Sequence, residues 1–383
     1  MTTTHFATAP TGPNRLLAAA TPDLDAHQRS YGPRPPVTEP SAFIAAVAAA
    51  GLRDANGFPV HRTISPVAGG RRAVVVADGG ESEPYSRNSS VLLGRSPHLV
   101  LDGLSAATAA VKARECHLYA PPPLVELLRE AVLERRASGY DCRPIAVSTA
   151  GQTASTDAPA AAPRARDRVV GSSSVGLRKR PTLIQSPETF AQLALIERFG
   201  AEWFRAVGTA DEPGTTLLTL SGEHEPTVAE VEFGTRLADL IDAGYHTDPA
   251  RIRAVLLGGC HGTWIPGSML TSATLSSAAL RPLNADIGPG VLKVLGRGEC
   301  GLRATADITA LATRTPGRCC RRLEAADPRQ TSSLPGDLAP ATACDCGRIT
   351  RLLRSALDTF GEDLLLHRRG TCEARGNLPD SRA

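Results

Sequence analysis

Four cysteines toward the C-terminal end offer the clearest capacity for chemistry. Cys319 and Cys320 are adjacent in TPGRCCRRLEA, and Cys344 and Cys346 stand further on in ATACDCGRI. Four thiolates could hold a tetrahedral Zn²⁺ or a [4Fe–4S] cluster. Adjacent cysteines point their side chains apart unless the backbone bends, so CC and CxC are poorer ligand spacings than CxxC. Cys116, Cys142, Cys260 and Cys300 sit in or beside apolar strands and read as small core residues. Cys372, near the tail, reads as a spare ligand or as incidental. A pair of carboxylates, Glu81 and Glu83, comes after a β-branched run and a glycine turn; such a pair serves either a ligand or a solvated loop. His261, in GGCHGTW, reads as a turn residue that positions its loop. No Ser/His/Asp triad, P-loop or HExxH pattern is present, so no residue is singled out as catalytic.

The elements that must position these groups alternate between strand and helix. SAFIAAVAAAG reads as a helix with Ser41 as N-cap and Gly51 as the left-handed C-terminal residue. AVVVADGG, from Ala73, reads as a strand. LDGLSAATAAVKA is next as a helix, CHLYA as a short strand, and PPLVELLREAVLERRASG as a helix opened by Pro and closed by Gly. This alternation implies parallel βαβ units, hence a layered α/β domain. PETFAQLALIERFGAEWFRAVG restores helix, with Phe190, Leu193, Ala194, Ile196 and Phe199 broadly on one face. TTLLTLSG, VAEVEF, TRLADLIDAG and AVLLGG read as strand, strand, helix and strand, a unit compatible with a ubiquitin-like β-grasp. GRITRLLRSALDTFGEDLLLHRRG carries Ile349, Leu352, Leu353, Ala356, Leu357, Phe360 and Leu364 along a 3.6-residue stripe, which must be buried against other helices.

Composition bounds the partners. The 383 residues suffice for two or three domains with sizeable cores. The net charge of +3, with acidic and basic residues interleaved, gives no case for binding nucleic acid or an anionic membrane. No window approaches the roughly 18 apolar residues of a spanning helix, and MTTTHFATAPTGPNR has no basic stretch leading into an apolar core, so secretion is not expected. Nine cysteines, an odd number, fit reduced or metal-bound thiols better than a disulfide framework. The expected location is the cytoplasm, without direct membrane insertion.

The segments RPTLIQSPETFAQLALIERFGAEWFRAVGT, GTTLLTLSGEHEPTVAEVEFGTRLADLI, VLLGGCHGTWIPG and LRPLNADIGPGVLKVL, in that order, resemble the flavoprotein family of NADH:quinone oxidoreductase, the 51 kDa F-type component of complex I, and its hydrogenase and formate dehydrogenase cousins. The look is that of a divergent, short actinobacterial type, and the similarity extends over about 41–375. It implies an α/β domain carrying FMN, a β-grasp domain and a helical domain holding a [4Fe–4S] cluster through four Cys. It also implies hydride transfer from NADH to flavin and single electrons leaving for a partner protein or subunit.

Carried over residue by residue, the resemblance selects a short set of positions. The family's glycine-rich flavin loop, approximately GRGGAGFPT, stands here as GLRDANGFPV, retaining Gly57, Phe58 and Pro59. The pattern NADEGEPGTxKDR becomes ADGGESEPYSRNSS, where Glu81, Glu83 and Pro84 match while Asn88, Ser89 and Ser90 replace Lys-Asp-Arg. The Gly-Glu-Glu motif near the nicotinamide is represented only by Gly151, with Gln152-Thr153-Ala154-Ser155 after it and both carboxylates gone. PTxVNNVET becomes Pro181-Thr182-Leu183-Ile184-Gln185-Ser186-Pro187-Glu188-Thr189, with Gln185 in the amide pair and Glu188 equally suited to a first helical turn. Cofactor contacts are thus expected at Gly57, Glu81, Glu83, Gly151, Gln185 and Glu188, and cluster ligands at Cys319, Cys320, Cys344 and Cys346.

The expected order is a disordered lead-in over 1–40, an α/β flavin and NADH domain over 41–205 with a linker-like stretch at 151–168, and a β-grasp domain over 206–275. A connecting segment over 276–303, a helical domain over 304–375 and a tail over 376–383 complete it. The scaffold motifs GAEWF, LLTLSG, VEFG and VLLGG stand intact while each cofactor motif departs. Three functions therefore compete: an NADH-oxidising FMN and [4Fe–4S] subunit with degraded cofactor motifs, a non-catalytic paralogue acting in binding or assembly, and a cysteine metal-binding protein without flavin.

Overall fold

The computed structural model describes residues 14–36, 38–70, 72–81, 83–150, 180–222, 225–245, 248–313, 346–369, 371–372 and 376–377. The chain divides into two compact units, one of Met1–Glu81, Arg87–Leu217 and Glu230–Phe233, the other of Ser82–Ser86, Leu218–Ala229 and Gly234–Ala383.

The first unit is a layered α/β fold. Helices α1 (Leu24–Tyr31), α2 (Pro40–Ala50) and α3 (Val60–Ala68) precede strand β1 (Val74–Asp78). Then come α4 (Asn88–Arg95), α5 (Pro97–Ala110), β2 (Glu115–Ala120), α6 (Val125–Ala137), β3 (Ala146–Thr149), β4 (Thr182–Gln185) and α7 (Pro187–Arg205). The sheet runs β3-β2-β1-β4, every pair parallel, with Val74 opposite both Glu115 and Thr182. Val74, Val75 and Val76 are wholly buried, as an unbroken β-branched run must be when both faces of a parallel strand are covered. Almost all of α5 is buried, and at Gly103 an added Cβ would lie 1.7 Å from the Phe190 carbonyl oxygen. Glycine there lets α5 and α7 pack backbone to backbone. Ser186 caps α7, its Oγ accepting from the Thr189 N–H at 3.1 Å.

The second unit contains a mixed sheet, ordered β6-β5-β9-β7-β8. Its strands are β5 (Thr215–Ser221), β6 (Thr227–Glu232), β7 (Ile252–Leu257), β8 (Thr263–Pro266) and β9 (Val291–Gly296), with α8 (Leu237–Tyr245) and α9 (Ser277–Leu280) between them. β9 runs parallel to β5 and antiparallel to β7, and β8 is antiparallel to β7. Helices α10 (Gly301–Thr313) and α11 (Cys346–Arg368) come next, then the short antiparallel pair β10 (Thr371–Cys372) and β11 (Gly376–Asn377). Ala254, Leu256, Trp264, Leu295, Ile308, Leu352, Ala356 and Phe360 form one core between strands β7 to β9 and helices α10 and α11. The Trp264 indole N–H donates to Thr305 Oγ1 at 2.9 Å and its backbone N–H to Ser355 Oγ at 2.9 Å, so the tryptophan is buried with both donors satisfied.

Several expectations are corrected. The lead-in is folded from residue 14 onward: α1 lies within it, and Leu16, Leu17, Leu24 and Tyr31 are buried. Glu230 anchors it, accepting the N–H groups of Leu16 and Leu17 at 2.7 and 3.2 Å. Helix α2 starts two residues early, with Glu39 as N-cap and Pro40 in the first turn; proline's fixed φ suits that position better than the expected Ser41. Gly51 does take the left-handed conformation, with φ 73°. Phe199 is only half-buried, because α7 kinks at Gly200 and turns that ring onto Trp203 at 4.8 Å. Cys142 is exposed, whereas Cys116, Cys260 and Cys300 are buried. The segment expected to connect domains holds β9, a central strand. On α11, Ile349, Leu352, Ala356 and Phe360 are buried and Leu353, Leu357 and Leu364 are intermediate.

Candidate functional site

The carboxyl ends of parallel strands are where open α/β sheets receive ligands. At the end of β1, Gly79 donates its N–H to the Tyr119 carbonyl at 2.8 Å. An added Cβ would meet that oxygen at 2.6 Å and Leu93 Cδ1 at 2.8 Å, so only glycine fits. Gly80 donates to Asp78 Oδ1 at 3.2 Å. The pair closes the end of β1 tightly against Tyr119 of β2, next to Gln185 at the end of β4.

The candidate contacts are mostly engaged within the protein. Glu81 Oε1 accepts the Ser90 N–H at 2.9 Å in the first turn of α4, a favourable place for a carboxylate that the side chain of Arg87 does not cap. Glu83, 2% exposed, accepts the Cys260 N–H at 3.1 Å. A Cβ on Gly259, whose φ is 68°, would lie 2.5 Å from the Glu83 carboxyl carbon. Glu83 therefore fixes the 258–262 turn, and His261 sits in that turn as expected. Gln185 donates its amide N–H to Thr63 Oγ1 at 2.9 Å, tying β4 to α3.

Glu188 Oε1 accepts from Thr216 Oγ1 at 2.9 Å and from the Leu217 N–H at 3.2 Å. Burial pushes its carboxyl up to about 7. Gly57 has φ 80° and open space where a Cβ would stand. Within the same turn the Asp54 carboxylate accepts the N–H groups of Asn56 and Phe58 at 2.9 and 3.0 Å. Those are the donors a phosphate would need, and the turn's own anion holds them. Gly151, Cys319, Cys320 and Cys344 lie outside the described residues; Cys346 begins α11, and its side chain lies outside them as well.

The largest polar constellation was not legible from motifs. Asp102, 4% exposed on α5, receives Arg135 Nη2 at 2.7 Å, His27 Nε2 at 2.9 Å, the Tyr140 hydroxyl at 3.2 Å and an ion pair from Arg198. The adjacent guanidinium and imidazole hold its carboxyl well below the usual range despite burial. Its members come from α1, α5, α6, the loop after α6 and α7, so no local pattern joins them. An aspartate within an otherwise apolar helix was the one available signal.

The fold thus comprises a parallel α/β unit and a unit of mixed sheet and helices. Residues 47–154 match the family description "Nuo51 FMN-binding domain". The second F-type subunit of the NADH-quinone oxidoreductase of Rhizobium meliloti (strain 1021) is 25% identical over 364 residues, covering 82% of this chain and 85% of the relative. The F-type NADH-quinone oxidoreductase subunit of Streptomyces coelicolor (strain ATCC BAA-471 / A3(2) / M145) is 27% identical over 321 residues, covering 74% and 69%. In fold, a chain of an NAD+-reducing [NiFe]-hydrogenase, crystallised in the H2-reduced state, superposes with a TM-score of 0.70 at 22% identity, over 85% of this chain and 62% of its own length. The chain is similar to the 51 kDa, F-type flavoproteins of NADH:quinone oxidoreductase. No helix among the described residues is long and apolar enough to cross a membrane.

Proposed function

We propose that the chain is a flavin-carrying, NADH-oxidising subunit that hands electrons to a partner protein. The observation that carries this reading is the match of residues 47–154 to an FMN-binding domain, a segment that holds the parallel strand β1 and the Gly79–Gly80 turn at its carboxyl end. Bound there, FMN would supply two-electron acceptance from NADH and one-electron release. The protein's part is to hold the ends of β1, β2 and β4 in register. The 53–58 turn does not fit a phosphate, because Asp54 already fills it. Gly57, Glu81, Glu83, Gly151, Gln185 and Glu188 remain the family-derived positions; of these, Glu83, Gln185 and Glu188 support the scaffold through their hydrogen bonds.

The domain reading accompanies this proposal: α/β over 41–205, β-grasp of the soluble-ligand-binding type over 206–275 completed by β9, and a helical iron–sulfur-type domain over 304–375. Cys319, Cys320, Cys344 and Cys346 would hold the [4Fe–4S] cluster. Relatives named as subunits support a multi-subunit setting, and the cytoplasm is the location that suits it.

A second reading, a non-catalytic paralogue kept for binding or assembly, is favoured by Asp54 alone. Flavin content separates the two. Anaerobically purified protein should release FMN on denaturation, and NADH should bleach its visible absorption. A colourless preparation with no extractable flavin and no NADH-driven reduction of an artificial acceptor would refute the first reading and leave the second.

A further inference from the structure

The second unit holds a set of soft ligands apart from the four cysteines expected to hold a cluster. Cys300 Sγ, His367 Nε2 and Cys372 Sγ all lie within 4.8 Å of one another. Cys300 immediately precedes α10, His367 lies in the last turn of α11, and Cys372 is in β10, paired opposite Gly376. Three separate elements thus bring soft donor atoms to one point. Both sulfurs are buried, while the imidazole is half-exposed. Cys300 Sγ stands 3.4 Å from His367 Nε2. In a tetrahedral zinc site with Zn–S near 2.3 Å and Zn–N near 2.05 Å, that edge would measure about 3.6 Å.

A supporting frame surrounds the three. Arg253 donates to the Glu299 carbonyl at 3.1 Å, next to Cys300, and at 2.6 Å to Asp363, one helical turn before His367. That guanidinium locks the start of α10 to the end of α11, as outer partners do around metal ligands. The Arg303 N–H, in the first turn of α10, points to Cys300 Sγ at 3.4 Å and favours a thiolate there.

We propose that Cys300, His367 and Cys372 form a mononuclear, zinc-type divalent metal site that clasps the terminal strand pair to α10 and α11. Binding releases one proton from each thiol and forms two M–S bonds and one M–N bond, with no change of oxidation state. Two thiolates and an imidazole select zinc over hard oxygen-seeking cations, and the fourth position is open to water. This site does not depend on FMN, NADH or the cluster.

Cobalt(II) is the probe. The full chain carrying serine at positions 319, 320, 344 and 346 is reduced, stripped with chelator and titrated anaerobically with Co²⁺. About one Co²⁺ per chain should bind, with thiolate charge-transfer and tetrahedral d–d bands that Zn²⁺ displaces. Cys372→Ser and Cys300→Ser should each abolish the charge-transfer band, and His367→Gln should weaken binding at least about tenfold. Far-UV circular dichroism should match across the variants. The half-exposed His367→Gln keeps the test alive if Cys300→Ser misfolds. Absence of bands in the quadruple background, bands that survive Cys372→Ser and His367→Gln, or thiol counting that finds Cys300 and Cys372 joined as a disulfide under reducing purification would each overturn the proposal.

Discussion

Replacing Asp102 with Asn keeps the shape of the side chain and removes one buried negative charge. Two guanidiniums, Arg135 and Arg198, then share a pocket that is 2–4% exposed without their counter-ion. The new amide can offer its oxygen to only one side, so its N–H₂ must face a donor among Arg135, His27, Arg198 and Tyr140. Breaking a buried pair by removing one partner costs about 3–5 kcal/mol. With two arginines stranded, the upper half of that range applies, and about 4 kcal/mol lowers the folded-to-unfolded ratio nearly a thousandfold. Trp203, stacked against Arg15 at 3.9 Å, reports the first unit. In a Trp264→Phe background, urea unfolding monitored by fluorescence should therefore show a midpoint lowered by about 1.5 M. Asp25→Asn, an exposed change on α1, is the control. A shift of Asp102→Asn no larger than that of the control would refute the view that this network holds the unit together. Acid tests the same network. The folded-state carboxyl titrates below its unfolded value, so its contribution is complete above about pH 4 and is lost as pH falls further.

Three further outcomes are expected. Glu188→Gln should flatten the stability profile between about pH 4 and 8: the raised carboxyl, near 7, stabilises below its unfolded value of about 4 and loses that contribution as pH rises through 7. Thermal melts at pH 5 and pH 8 check this, and equal pH dependence in both proteins would refute it. Gly103→Ala should destabilise by more than about 3 kcal/mol, because the 1.7 Å approach to the Phe190 carbonyl forces α5 from α7; soluble, native-like protein with an unchanged melting temperature would contradict the packing. Asp54→Gly should free the N–H groups of Asn56 and Phe58 and raise FMN retention about tenfold, the order of one charged hydrogen bond. Retention measured by flavin fluorescence after gel filtration that falls or stays level would show that the turn faces no phosphate.

The sequence disclosed what periodic patterns can disclose. β1 was legible because three consecutive β-branched residues buried on both faces read as a parallel strand, and α11 because its apolar stripe recurs each turn. β3, β4 and β8 were not, since strands of four residues between turns lack the length for a period to register. α1 and the folded lead-in were hidden by prolines and by polar anchors such as Glu230, whose partners lie about 200 residues away. The polar side chains selected by family position were legible as positions but not as roles. Nothing local in Gln185 announces that its amide is committed to Thr63.

Asp54 shows why a resemblance of motifs and a fit of chemistry come apart at a single turn. A flavin-phosphate loop works by leaving successive backbone N–H groups unpaired until an anion arrives, a cost that glycine-rich sequence tolerates because the chain gains a ligand. Here the turn retains Gly57 in its left-handed conformation, the Asp54 N–H bonds to the Phe58 carbonyl, and the Asp54 side chain takes the N–H groups of Asn56 and Phe58. The turn therefore keeps its shape with or without a ligand. A self-satisfied turn joins helix α2 to α3 without needing an anion. Glu83 and Glu188 act in the same way, as hydrogen-bond anchors of the scaffold.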